Sequence, residues 1–117
     1  MGAGDNDNPR ANVFFIDQSV DADLSEPLFK GHLDILGLRF PATWDAANCT
    51  FYESDTEDGT YRLVHWEQDG AFTLTGGVDL TIKFGPERLA GCKWVKIATS
   101  AVQLADRTIT PIFRNFD

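Results

Sequence analysis

The sequence predicts an all-β fold: an antiparallel, jelly-roll-like β-sandwich of about seven or eight short strands behind an extended N-terminal arm. Three observations predict it. Short segments rich in Val, Ile, Phe, Tyr and Thr recur along the chain, several alternating apolar and polar with period two. Turn residues separate them every roughly 8–12 positions. No segment carries the 3.6-residue apolar period of a long helix. The longer links at 41–47 and 85–92 favour connections that cross between two sheets over a simple meander.

Residues 1–11 read as the arm. Gly, Asn, Asp and Pro dominate it, and it offers almost nothing apolar to bury. Residues 12–117 read as a single sandwich domain. Residues 13–16 are a short apolar strand ended by Asp17-Gln18-Ser19. Residues 24–30 contain Pro27, which favours an edge strand or loop because proline donates no ladder hydrogen bond. In 32–40, Leu33, Ile35 and Phe40 mark one face. Gly37 disturbs the phase and points to a bulge. Residues 48–54 place Cys49, Phe51 and Glu53 opposite Thr50 and Tyr52. The run Asp55-Thr56-Glu57-Asp58-Gly59 is a turn, with Gly59 suited to positive φ. Residues 61–66 form the next strand, and Asp69-Gly70 is a hairpin signal before 71–75. Val78, Leu80, Ile82 and Phe84 alternate with Asp79, Thr81 and Lys83, the best half-buried pattern in the chain. Residues 86–91 are a connection with room for one helical turn. Residues 93–99 alternate again, Trp94 and Lys96 against Val95 and Ile97. Residues 108–113 close the domain, and Pro111 there requires an edge or a bulge.

Composition narrows the function. The 117 residues suit one domain able to bury its own core. The net charge of −8 argues against nucleic acid and against anionic membranes as partners. No apolar run reaches the roughly 18–20 residues that span a bilayer, and the polar N-terminus does not read as a signal peptide or an acylation site. The charge is uneven: from Lys83 onward six basic residues face three acidic ones, so acid concentrates earlier. Such asymmetry suits either layered packing on a complementary surface or plain solubility.

No catalytic motif emerges. His32 and His65 lack metal-ligand spacing, and a Cys49–His65–Asp triad has no support in the flanking residues. No nucleophile elbow, phosphate loop or dinucleotide fingerprint occurs. The oxygen-rich runs 5–8 and 55–59 lack the ligand pattern of an EF-hand and read as a solvated tail and turn. The carboxylates are too numerous for any pair to signal a glycosidase. Neither a metal nor a cofactor is expected. Cys49 and Cys92 read as small buried hydrophobes; a disulfide would need their Cα atoms within about 7 Å. Of the tryptophans, Trp94 is expected in the core. Trp44, in the link after Pro41, is either a plug at one end of the sandwich or a contact residue. The residues expected to meet a partner are Asp5, Asp7 and Arg10 of the arm with Trp44 and Trp66.

Four spaced motifs support a family resemblance. The first is Pro41, Trp44, Ala47 and Phe51; the second is Ser54 with Gly59. The third is Leu89, Ala90, Gly91, Trp94, Lys96 and Ile97; the fourth is Gln103, Ala105, Asp106, Arg107 and Ile109. In this order and spacing the 37–114 block resembles a family of small virion-module proteins of tailed bacteriophages. The chain departs from it at Ile97-Ala98-Thr99-Ser100, where relatives tend to carry an Arg-Ser-Gly run, and the arm has no counterpart. The resemblance implies a non-enzymatic structural protein, most simply a capsid decoration or cement protein. Its partners would be the major capsid protein or other virion proteins. It would self-associate or assemble in symmetric copies on the capsid surface, after assembly in the host cytoplasm. Three other readings compete: a tail, baseplate or head-fibre component; a carbohydrate-binding β-sandwich module, which expects Trp44 or Trp66 exposed beside polar residues; and a small hydrolase, which expects His or paired carboxylates in a deep pocket.

Overall fold

A computed structural model describes residues 12–65 and 70–114 of the chain. The arm with Asp5, Asp7 and Arg10, and the segment with Trp66 and Asp69, lie outside the described residues. The described strands are β1 (Phe14–Ile16), β2 (Leu28–Phe29), β3 (Asp34–Arg39), β4 (Asn48–Ser54), β5 (Arg62–Leu63), β6 (Thr73–Thr75), β7 (Thr81–Lys83), β8 (Trp94–Thr99) and β9 (Arg107–Arg114). One sheet has the order β1-β9-β3-β7. The other has β2-β8-β4, with β5 and β6 both paired to the remaining side of β4. Every pairing is antiparallel. The chain changes sheet at each step except along β4-β5-β6. That is the strand order of a jelly roll, with β5 and β6 sharing one of its eight positions.

The core forms where the inward faces of the two sheets meet. Phe14 and Ile16 of β1, Ile35 and Leu38 of β3 and Ile109 of β9 come from one side. Leu28, Cys49, Phe51, Val95 and Ile97 come from the other, and all are buried. Phe51 sits at the centre. It stacks on Phe72 at 5.0 Å and meets Phe14 and Phe84 edge-on at 6.4 and 6.3 Å. Such offset and edge-on pairs align the negative ring face with a positive edge.

Local chemistry explains the breaks in pattern. The β3–β9 register shifts between Ile35 and Gly37, the bulge expected there. A Cβ on Gly37 would collide with the carbonyl oxygen of Ile82 on β7, so only glycine lets the two backbones approach. Pro111 is tolerated because β9 pairs with β1 only through Ile109 and with β3 beyond it, beside that bulge. The expected helical turn is a 3-10 turn at Pro86–Arg88.

Four expectations need correction. The alternation over 78–84 yields only the three residues of β7, and Val78 and Leu80 are exposed. The chain before β7 is tied instead to the end of β3, through Phe40 N–H to Leu80 O (2.8 Å) and Asp79 N–H to Pro41 O (2.9 Å). Trp94 is not in the core. Val95 and Ile97 take the inward face of β8, leaving Trp94 half-buried on the outer face against Phe29, with ring centroids 4.9 Å apart. Leu33 precedes β3 and is exposed rather than inward. Gly59 does not take positive φ. A Cβ there would crowd the Thr56 and Ser54 hydroxyl oxygens, which would have to swing aside.

Candidate interaction surface

The jelly-roll order brings four connections to one end of the sandwich: 17–23 after β1, 40–47 after β3, 76–80 after β6 and 100–106 after β8. Hydrogen bonds lace them together. Gly76 N–H donates to Ala47 O (3.1 Å), joining 76–80 to 40–47. Ser100 N–H donates to Asn48 O (2.9 Å), and Asn48 N–H donates to the Ser100 hydroxyl (2.8 Å). Gln103 N–H donates to Ala22 O (2.8 Å), Thr99 N–H to Asp23 O (2.9 Å), and Gln18 N–H to Asp106 Oδ1 (2.9 Å).

One buried side chain organises the centre. Gln103 is 1% exposed. Its Oε1 accepts from Asp45 N–H (2.9 Å), while its Nε2 donates to Asp45 O (2.9 Å). The amide thus pairs with the Asp45 backbone as a neighbouring strand would. The same Oε1 accepts from Arg107 Nε (3.2 Å). Arg107 in turn places its Nη2 2.9 Å from Asp45 Oδ2, which also accepts from Leu104 N–H (2.8 Å). The Leu104 N–H, and then the Arg107 guanidinium, hold the Asp45 carboxyl below its ordinary pKa against a partly opposing desolvation. The buried guanidinium therefore has both an acceptor amide and a counter-ion.

Trp44 is the plug of the two roles the sequence left open. It is 6% exposed and packs edge-on against Phe40 at 4.9 Å. Gly76 lies so close that a Cβ there would stand 2.7 Å from Trp44 Nε1. That indole N–H has no hydrogen-bond partner among the described residues. Trp44 therefore offers a partner no surface, which also removes it as the exposed platform of the carbohydrate reading. Asp5, Asp7, Arg10 and Trp66 lie outside the described residues.

What this end does expose is apolar and acidic. Val20 is 78% exposed and Leu104 75%, and Val78, Leu80 and Val102 are exposed on the same set of loops. Segments 17–23, 40–47, 76–80 and 100–106 hold six aspartates (Asp17, Asp21, Asp23, Asp45, Asp79, Asp106) and no Lys, Arg or His. Sequence reasoning missed the five aliphatic residues. Val78 and Leu80 fit a strand pattern, and the available signal at 101–105 is apolar side chains inside a link between two strands.

The two cysteines are not part of this exposed surface. Cys49 and Cys92 are buried and unpaired. Burial pushes their thiols up to about 12 and about 11, away from the reactive thiolate. Among the described residues no group of three His, Cys, Asp or Glu side chains is placed to hold a metal ion. No helix among them is long and apolar enough to cross a membrane. No protein-family model, curated protein or solved structure matches this chain.

Proposed function

We propose that this chain is a non-enzymatic structural protein of a bacteriophage virion. In this reading it is a decoration protein that binds the outside of the major capsid protein shell and stabilises it. The observation that carries the reading is the four-loop end, where exposed aliphatic side chains are set among aspartates on a hydrogen-bonded framework. Exposed aliphatic residues gathered in this way mark a surface that associates with another protein. The aspartates add a requirement for a partner bearing Lys or Arg around an apolar patch, which disfavours pairing this end with a copy of itself. Jelly rolls serve capsid proteins, but they serve lectins and cupins as well, so the fold lends background support only. Many copies arranged by the symmetry of a shell would gain by avidity from an individually modest contact.

The test is binding of the purified protein to shells prepared without it, followed by co-sedimentation. Wild type should bind in saturable fashion, and Leu104→Asp with Val102→Asp should reduce binding at least about tenfold without unfolding the protein. Undiminished binding by the double variant would remove the loop end from the contact. Absence of binding by wild type would remove the decoration role.

A further inference from the structure

A second surface lies on the outer face of the β2-β8-β4 sheet. There a groove of about 390 Å³ is lined by Asp21, Asp23, Leu24, Tyr52, Tyr61 and Lys96, with Ala98 and Thr99 beneath. Tyr52 on β4 and Lys96 on β8 are cross-strand partners and share the outward face. Lys96 Nζ stands 4.4 Å from the centre of the Tyr61 ring. The Tyr61 hydroxyl donates to Glu57 O at 2.8 Å. Ring and ammonium are thus held in place before any ligand arrives. At the rim the Asp21 and Asp23 carboxyls stand side by side, close enough to share a proton once one of them is protonated. The hydrogen bond that protonated Asp23 could make to Asp21, then desolvation and the Asp21 charge, raise the Asp23 pKa.

These groups define the ligand they would accept. A half-buried aromatic ring beside Leu24 calls for a flat C–H face. Two carboxyls side by side call for neighbouring hydroxyl donors, and a fixed ammonium calls for an oxygen acceptor. The charges exclude the extremes. Lys96 opposes a cation, and the two aspartates in a chain of net charge −8 oppose an anion. We propose that this groove binds a neutral saccharide, one ring lying on Tyr52 with adjacent hydroxyls donating to Asp21 and Asp23 and a ring or hydroxyl oxygen accepting from Lys96. The groove adjoins the loop end, sharing Asp21 and Asp23 of the 17–23 loop with it, and the assignment stands whether or not the virion reading does.

The test is a two-dimensional amide NMR titration of the whole chain with maltose, cellobiose, lactose and chitobiose. Glucuronate and glucosamine serve as charged comparisons. At least one neutral sugar should give saturable shifts centred on Tyr52, Tyr61, Lys96 and the 21–24 segment, with a millimolar Kd. Tyr52→Ala should weaken it at least about tenfold. So should Asp21→Asn with Asp23→Asn, which lies in an exposed loop and keeps the sheet intact if the tyrosine variant misfolds. Three results would overturn the assignment. One is no saturable shift with any neutral sugar. Another is tighter binding of either charged sugar. The third is undiminished binding in the folded aspartate double variant.

Discussion

Replacing Gln103 with Leu removes three hydrogen bonds and little volume. The lost partners are Asp45 N–H, Asp45 O and Arg107 Nε. A fully buried polar group left unpaired costs roughly 1–3 kcal/mol. Asp45 is only partly buried, so its peptide groups recover part of that from water, whereas the Arg107 side chain is 8% exposed and recovers less. Leucine fills the space, so no cavity term adds. The expected loss is about 3 kcal/mol in all. With a urea m-value of about 2 kcal/mol/M, the midpoint should fall by about 1.5 M at unchanged slope. The melting temperature should fall by about 10 °C. Gln103→Glu keeps both acceptor roles but buries a carboxylate and turns one of its oxygens toward Asp45 O, so it should cost more than the single lost hydrogen bond, and less in acid, where the carboxyl can protonate and donate. Amide exchange should rise first in 40–47 and 100–106, the two loops the clamp joins. A loss below about 0.5 kcal/mol for Gln103→Leu, the range of an ordinary surface change, would refute the claim that this side chain holds the loop end together.

Three further outcomes are expected. Trp44→Phe should lie within about 1 kcal/mol of wild type in urea unfolding, because the lost ring area is offset by removing an unpaired buried N–H, whereas Trp44→Ala should cost about 3–5 kcal/mol; a large penalty for the phenylalanine would show that the N–H has a partner. The Asp45 carboxyl has a lowered pKa in the folded state, so its ionised form contributes stability above the ordinary value of 3.8, and that contribution fades as pH falls below it. The urea midpoints of wild type and Asp45→Asn should therefore differ at neutral pH and converge in acid, and a constant gap would contradict the ion pair. Cys49 and Cys92 should resist a thiol reagent in mildly alkaline buffer while folded and both react after unfolding; rapid labelling of the folded protein would contradict their burial.

The jelly roll was legible where one rule decided the outcome. Alternation at 93–99 located β8, and the glycine and proline rules placed the bulge at Gly37 and the permitted site of Pro111. Alternation could not give the phase when both faces carried a large apolar residue. In β8 the aliphatic pair Val95 and Ile97 won the interior and Trp94 was turned outward. It also failed at 78–80, where Leu80 and Asp79 hydrogen-bond to 40–41 as a loop, with Asp79 at φ 52°. The clamp was beyond sequence reasoning for a topological reason. Gln103 and Arg107 lie 58 and 62 residues from Asp45, and only the crossing between sheets makes them neighbours. Trp44, Gln103 and Arg107 share a place in the framework beneath the loop end, so they hold the surface up while Val20, Val78, Leu80, Val102 and Leu104 form it.

The most direct test of the virion reading is the protein composition of purified particles, quantified by mass spectrometry against the major capsid protein. The decoration reading predicts that this chain is present at a ratio near one copy per shell subunit. A few copies per particle would move it to the tail or baseplate, and absence from the particle would contradict the virion reading altogether.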